Sequence, residues 1–263
     1  MGATVTFTAR YSQVQFQVNY TWSHALDDIS NGGFLPFNFL TNTSVLTPQN
    51  PYSLRQYNYG NSDYDARQAL NANYVYTAPH RQGWRNIYGD WTIAGTFFFR
   101  TGYPFTAMDA ADSGILAAYN YNALNFAGSP SLFANNVSLG GTVACGSSAT
   151  TTPCFNTSQF SPAVAGLGNQ RRNQLFGPNY FDTDLTVMRN MKVPRWESGQ
   201  LSVGLQFFNL LNHPNFDQPN GVLQNPDFGL ITHTVGDPTS ILGSFLGGDA
   251  SPRIIQLKAM LTF

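Results

Sequence analysis

Charge is scarce in this chain. Asp, Glu, Lys and Arg make up 10% of its 263 residues, against about a quarter in an ordinary soluble domain, so part of the surface faces something other than water. The net charge is −1 and the only basic block is Arg171 with Arg172. The electrostatic footprint of a nucleic-acid binder is therefore missing, and nucleic acid is not an expected partner. Long hydrophobic runs are absent too. No stretch approaches the roughly 18 to 20 apolar residues that a membrane helix needs, and the mean hydropathy is −0.20, which excludes a helical membrane protein. A β-barrel hides its apolar residues in every second position and is not excluded. Residues 1–10 also lack the basic start and apolar stretch of a signal peptide, so the chain is expected to be a piece of something longer.

What is present is aromatic side chains, 14% of the total, set in period-two segments. Seven segments each come close to the about 9 to 11 residues with which a tilted strand crosses a bilayer. Residues 3–10 set Val5 and Phe7 against Thr4, Thr6 and Thr8, and residues 13–22 set Val14, Phe16, Val18, Tyr20 and Trp22 against Gln13, Gln15, Gln17, Asn19 and Thr21. Residues 67–76 oppose Leu70, Ala72, Tyr74 and Tyr76 to Asn71 and Asn73; residues 91–100 oppose Trp91, Ile93, Phe97 and Phe99 to Thr92, Thr96 and Arg100. Residues 180–189 set Phe181, Leu185 and Val187 against Asp182, Asp184 and Thr186, and residues 201–208 set Leu201, Val203, Leu205 and Phe207 against Ser202 and Gln206. The chain ends in residues 253–263, with Ile255, Leu257, Ala259, Leu261 and Phe263 on one side and Lys258 on the other. No charge falls on an apolar face before a strand end, which is the sorting that lipid outside and a wet lumen inside impose.

A soluble sandwich sorts its residues in a similar way, but its loops have no reason to alternate in length. Here a tight turn at Tyr11 and Ser12 precedes a long stretch over 23–66. A medium turn over 77–90 precedes a very long one over 101–179, and a short turn over 190–200 precedes a long loop over 209–252. That alternation puts short turns at the periplasmic rim and long loops outside. Aromatics gather at the strand ends, where rings suit the boundary between lipid and headgroups. The expected fold is all-β: a portion of an antiparallel transmembrane β-barrel, about seven strands in meander topology with long extracellular loops, spanning residues 1–263 as one unit in the bacterial outer membrane.

Five strings carry a resemblance to a known family: YTWSHALDD at 20–28, DARQALNANYVY at 65–76, GDWTIAGTFFFRTGYPFT at 89–106, FFNLLNHPNF at 207–216, and the terminal Phe263. In this order and spacing they resemble the TonB-dependent outer-membrane receptors, Oar-like group, over nearly the whole chain. The resemblance implies a barrel of about 22 strands around an N-terminal plug that takes up or exports a bulky substrate. This chain would be the last third of that barrel, without the plug, the preceding regulatory-like domain, or the segment that engages TonB. It also implies that Phe263, with Leu261, belongs to the signal read by the barrel assembly machinery. The expected partners are outer-membrane lipid, that machinery, TonB only through the missing N-terminal region, and an unidentified substrate.

Residues with chemistry of their own are few. Cys145 and Cys154, with eight residues between them in the longest loop, are candidates for a disulfide, as expected in an exported protein. Two cysteines cannot complete a tetrahedral metal site, and the four histidines, His24, His80, His213 and His233, are scattered over three connections, so no metal or other cofactor is expected. Asp182 and Asp184, two apart on a strand, point the same way and read as wet lumen charges. Glu197 is the sole glutamate, and no nucleophile elbow or phosphate loop occurs. The chain is not expected to be an enzyme. Gln13, Gln15, Gln17, Asn71, Asn73, Asp182, Asp184, Gln206 and Lys258 are the expected lumen-facing residues. The loop aromatics Phe34, Phe37, Tyr57 and Tyr59 are candidates for stacking on sugar rings. A surface-exposed β-rich adhesin or structural module, or a small passive pore, is the alternative to a receptor.

Overall fold

The computed structural model describes residues 1–30, 53–109, 133–138, 145, 148–162, 168–193, 196, 199–235 and 252–263. Seven long strands form one antiparallel sheet: β1 (Gly2–Arg10), β2 (Val14–Ser23), β3 (Gln68–Thr77), β4 (Trp91–Arg100), β5 (Tyr180–Lys192), β6 (Gln200–Phe208) and β7 (Ile254–Thr262). Their spatial order is their chain order, so the sheet is a meander. It is open, with β1 and β7 as its edges.

The register keeps one apolar face across all seven strands. Val5 lies opposite Tyr20 and Phe7 opposite Val18; Phe16 meets Tyr74 and Tyr20 meets Leu70; Leu70 meets Phe99 and Ala72 meets Phe97. The row continues through Val187 beside Ile93, Leu185 beside Phe207 and Leu205 beside Leu257. Because the side-chain period is two, a slip of one residue in any pair would turn a whole strand's apolar set to the wrong side. Many of these side chains are exposed, among them Val5, Phe7, Trp22, Leu257 and Leu261, as a face toward lipid requires.

The opposite face is a ladder of amides and hydroxyls. Thr4 pairs with Thr21 at 3.2 Å, Thr6 donates to Asn19 at 3.0 Å and Gln17 to Asn19 at 3.1 Å. Asn73 donates to Asn71 at 2.9 Å, and Ser202 to Asn190 at 2.7 Å. Gly204 sits on this face. A Cβ there would stand 1.9 Å from the Val187 carbonyl oxygen and 2.8 Å from Met188 Sδ.

Every strand except β4 differs from the sequence reading at one end or both, by one residue in each case but β5, where the difference is three. Gln13 lies in the first turn rather than in β2, and its carbonyl accepts the Thr77 N–H at 2.8 Å. Residue 67 is outside β3, because Arg67 turns to bond Asp65 at 2.6 Å. β5 runs on to Lys192, because Asn190 to Lys192 pair with Ser202 to Gln200. The extension carries Arg189 into the strand interior, on the apolar face between Trp91 and Val203, where the sequence reading had taken it for a strand end.

The substitution Gly204→Ala should lower the folded fraction, with overpacking of about 1 to 3 kcal/mol. The readout is the heat-modifiable gel mobility of the membrane-inserted protein; unchanged mobility and yield would contradict the close approach.

Candidate functional site

The long connections, outer loop 1 (24–67), outer loop 2 (101–179) and outer loop 3 (209–253), all leave the same end of the sheet, and their described residues fold together as a cap. The buried apolar cluster lies in this cap: Phe105, Ala107, Ala134, Ala149, Cys154, Phe155, Phe160, Leu175 and Ile231, with Phe216, Leu223 and Phe228 packed against it. Its rings meet edge to face, Phe155 with Phe160 at 5.3 Å and with Phe228 at 5.3 Å, a favoured arrangement of aromatic pairs. Cys145 and Cys154 are bonded within it, their Cα atoms 4.5 Å apart. Loop 3 is stitched to loop 2 by backbone bonds, with the Cys154 N–H donating to Gly229 O and Ile231 N–H to Ala149 O.

Loops 1 and 2 meet through a buried polar centre. The Arg172 side chain is fully buried. Its Nη1 bonds the Asp27 carboxylate, and its Nη2 donates to Ser30 Oγ at 2.7 Å and to Asp63 Oδ1 at 3.0 Å. Asn173 adds a bond to Asp63 at 2.6 Å and to the Asn61 carbonyl at 2.7 Å, and accepts from Thr106 at 3.1 Å. Ser30 and Ser62 donate to the second Asp27 oxygen at 2.9 and 2.7 Å. Burial pushes the Asp63 carboxyl above its ordinary range, partly offset by the Arg172 charge and the Asn173 bond.

The cap closes over the lumen side of the sheet's outer end. Tyr180, Arg100 and Asp182 all point to the polar face and are all buried. The Arg100 guanidinium lies 3.8 Å from the centre of the Tyr103 ring and 5.2 Å from that of Tyr180, a cation–π arrangement. Asn215 of loop 3 brackets the start of β5, accepting from the Phe181 N–H and donating to its carbonyl, both at 2.8 Å.

Of the lumen residues picked from sequence, Gln15, Gln17, Asn71, Asn73, Asp182, Asp184, Gln206 and Lys258 share the polar face, as the pairings show. Asp182 and Asp184 do not act as a pair. The first is buried under the cap, while Asp184 accepts from the Asn209 N–H at 3.0 Å. Gln206 donates to Thr186 at 3.3 Å. Lys258 lies opposite Gly204 and is exposed. Phe34 and Phe37 lie outside the described residues. Tyr57 is half-buried in a single helical turn. Tyr59 is covered on one ring face by the Arg55 guanidinium at 3.6 Å, which leaves at most its other face for a sugar. Phe263 stacks on Trp196 at 5.8 Å, and Leu261 pairs with Leu201 on the lipid face; both are exposed.

The sequence analysis assigns no site role to Arg172, Asp63 or Arg100. The available signal was an Arg pair in one loop of a charge-poor chain facing Asp pairs, 27 with 28 and 63 with 65, in another.

Truncating Arg172 to Ala leaves Asp27 and Asp63 without their cation and should cost the cap about 3 to 5 kcal/mol. Hydrogen exchange over 53–67 should accelerate while exchange in β3 does not; unchanged loop protection would show that the Arg172 centre does not hold loop 1 to loop 2. Asp63 has a raised folded-state pKa, so its contribution to stability is full below the unfolded carboxylate pKa and is lost as pH rises through the folded value. Loop protection in Asp63→Asn should therefore vary less with pH across that window than in the wild type, and an equal variation would count against it.

Comparison with curated proteins and with solved structures gave no match. The family model described as an outer membrane beta barrel domain matches residues 2–256. Its span takes in six of the seven strands entire and all three cap loops. A lipid face continuous over seven antiparallel strands and a polar face under a loop cap agree with that match: the chain belongs to the outer membrane beta barrel domain family, and it is a β-barrel protein of the bacterial outer membrane.

Proposed function

We propose that these strands are the carboxy-terminal part of a TonB-dependent receptor barrel of the Oar-like group, whose cap receives a bulky substrate and whose lumen passes it. The observation that carries this reading is where the five resembling strings fall. Each joins a membrane strand to a structural anchor. The first brings Asp27 from β2 into the Arg172 centre, and the second supplies Asp65, which accepts from the Ala25 N–H at 2.8 Å, and continues into β3. The third is β4 with Arg100 and the buried Phe105. The fourth is the end of β6 with Asn209, which receives the His213 N–H at 2.9 Å, and with Asn215. The fifth is the Phe263 ring on Trp196. A receptor needs strands and cap positioned together, and these strings do that.

Strand direction supports a larger barrel. In a seven-stranded antiparallel meander the first and last strands run the same way, so β1 and β7 both descend from the long-loop end to the short-turn end. They can pair with each other only in parallel. Closure by antiparallel neighbours, the rule in bacterial outer-membrane barrels, requires an odd number of further strands between them. No backbone edge can stay open in hydrocarbon.

Reading the gene upstream of Met1 tests the proposal. Further alternating strands, a plug and a TonB-engaging segment are expected; a promoter and stop codon immediately upstream would replace the receptor by an adhesin or a small pore. In the parent protein, Phe263→Ala should lower the amount in outer-membrane fractions on immunoblots, and normal amounts would remove Phe263 from the assembly signal.

A further inference from the structure

Arg189 is the one charged side chain on the apolar face among the described residues of the seven strands. It lies near the short-turn end, opposite Trp91 on one side and Val203 on the other. Its guanidinium stands 5.5 Å from the centre of the Trp91 ring, and its Nη2 donates to the Asn86 carbonyl at 3.0 Å. Its Nε is buried and bonded to no described residue. Asp90, the nearby carboxylate of this turn, is bonded to His80 at 2.8 Å and is also within electrostatic reach of Arg189, to which it makes no hydrogen bond or ion pair. The cation is thus fixed in place and partly exposed on the side of the sheet that faces lipid.

The turn beneath it is built for the same boundary. Residues Gly83–Tyr88 form a 3-10 turn with Trp84, Ile87 and Tyr88 strongly exposed, and the Trp91 Nε1 donates to the Ile87 carbonyl at 2.8 Å. Arg81 and Arg85 are exposed on this turn, and the Arg85 guanidinium lies 5.8 Å from the Trp84 ring centre. A turn projecting into water gains nothing from three bare apolar rings and chains, whereas at the lipid interface their amphipathic bodies are stabilised. An arginine on the lipid face costs about 2 to 4 kcal/mol at the bilayer midplane and about 0 to 1 near its edges, so Arg189 belongs at the rim. The anion found at that depth is the phosphodiester of an inner-leaflet phospholipid, and a planar guanidinium matches its paired oxygens.

We propose that Arg189, held by Trp91 and the Asn86 carbonyl above the Gly83–Tyr88 turn, binds the headgroup phosphate of one inner-leaflet phospholipid, with Trp84, Ile87 and Tyr88 seated in the same leaflet. The site rests on the membrane face alone and is independent of the receptor reading. The test is native mass spectrometry of the full-length outer-membrane protein released from detergent, with added phosphatidylglycerol or a phosphate-free glucosyl diacylglycerol carrying the same chains.

The wild type should retain one phosphatidylglycerol at activation energies that strip the glycolipid. Arg189→Gln should lower that occupancy roughly tenfold, as expected for loss of a charge-assisted pair. Arg189→Lys should restore part of it by keeping the charge without the fork, and Lys192→Gln, on the polar face, should leave it unchanged. Heat-modifiable mobility establishes that each variant is folded. Equal retention by wild type and a folded Arg189→Gln overturns the site. Should that variant not fold, equal retention of phospholipid and glycolipid by the wild type overturns it.

Discussion

Hydrocarbon offers no hydrogen bonds, and the rest of the structure follows from that. Every backbone N–H and C=O in the bilayer must find its partner inside the sheet, so the chain crosses as paired strands, and each strand must show lipid an apolar row. Seven strands satisfy this with one register from Val5 to Leu257. The freedom that remains is on the other face, where amides and hydroxyls bond one another, and beyond the ends of the strands. The scarcity of charge is the same constraint seen in composition.

Since lipid takes the apolar face, the sheet has no interior of its own, and the protein's compact core forms elsewhere. It lies in the cap, where Phe105, Phe155 and Leu175 are buried as they would be in a small soluble domain. Its two seams differ in kind. Loops 2 and 3 are joined by aromatic packing and backbone bonds, beside the Cys145–Cys154 bond within loop 2, and loops 1 and 2 by the side chains of Arg172 and Asn173. Closing a loop of this length by a disulfide contributes on the order of 2 to 3 kcal/mol by limiting its unfolded states. The buried ion pairs contribute less net stability, because desolvation offsets most of their attraction, but they penalise any arrangement that leaves one member alone.

The strands were legible because their signal is local: a period of two, read over ten residues, fixes both the element and its face. The alternation of loop lengths was equally plain, and with two cysteines there was one pairing to consider. The cap centre was not legible. Arg172 reaches Asp27 across 145 positions and Asp63 across 109, and no periodicity links residues so far apart. Arg189 was misread for a smaller reason. Its strand was ended three residues early, at the charge itself, although Asn190 to Lys192 continue the ladder against β6. A charge on a lipid face was treated as a stop when it is a rim residue inside the strand.

The difference between the two seams bears on how such a cap can change. The contacts between loops 2 and 3 set backbone bonds into a packed aromatic cluster, so they yield only when the cluster unpacks. The contacts between loops 1 and 2 are directional bonds from Arg172 and Asn173 to a few oxygens. A ligand presenting carboxylate, amide or hydroxyl oxygens could replace them one for one without exposing apolar surface. Directional bonds exchange partners at low cost where packed rings do not, because the desolvation is already spent and only the identity of the acceptor changes. Separating loop 1 from loop 2 therefore requires new acceptors for Arg172 and Asn173, because a buried guanidinium left without its carboxylates is strongly penalised.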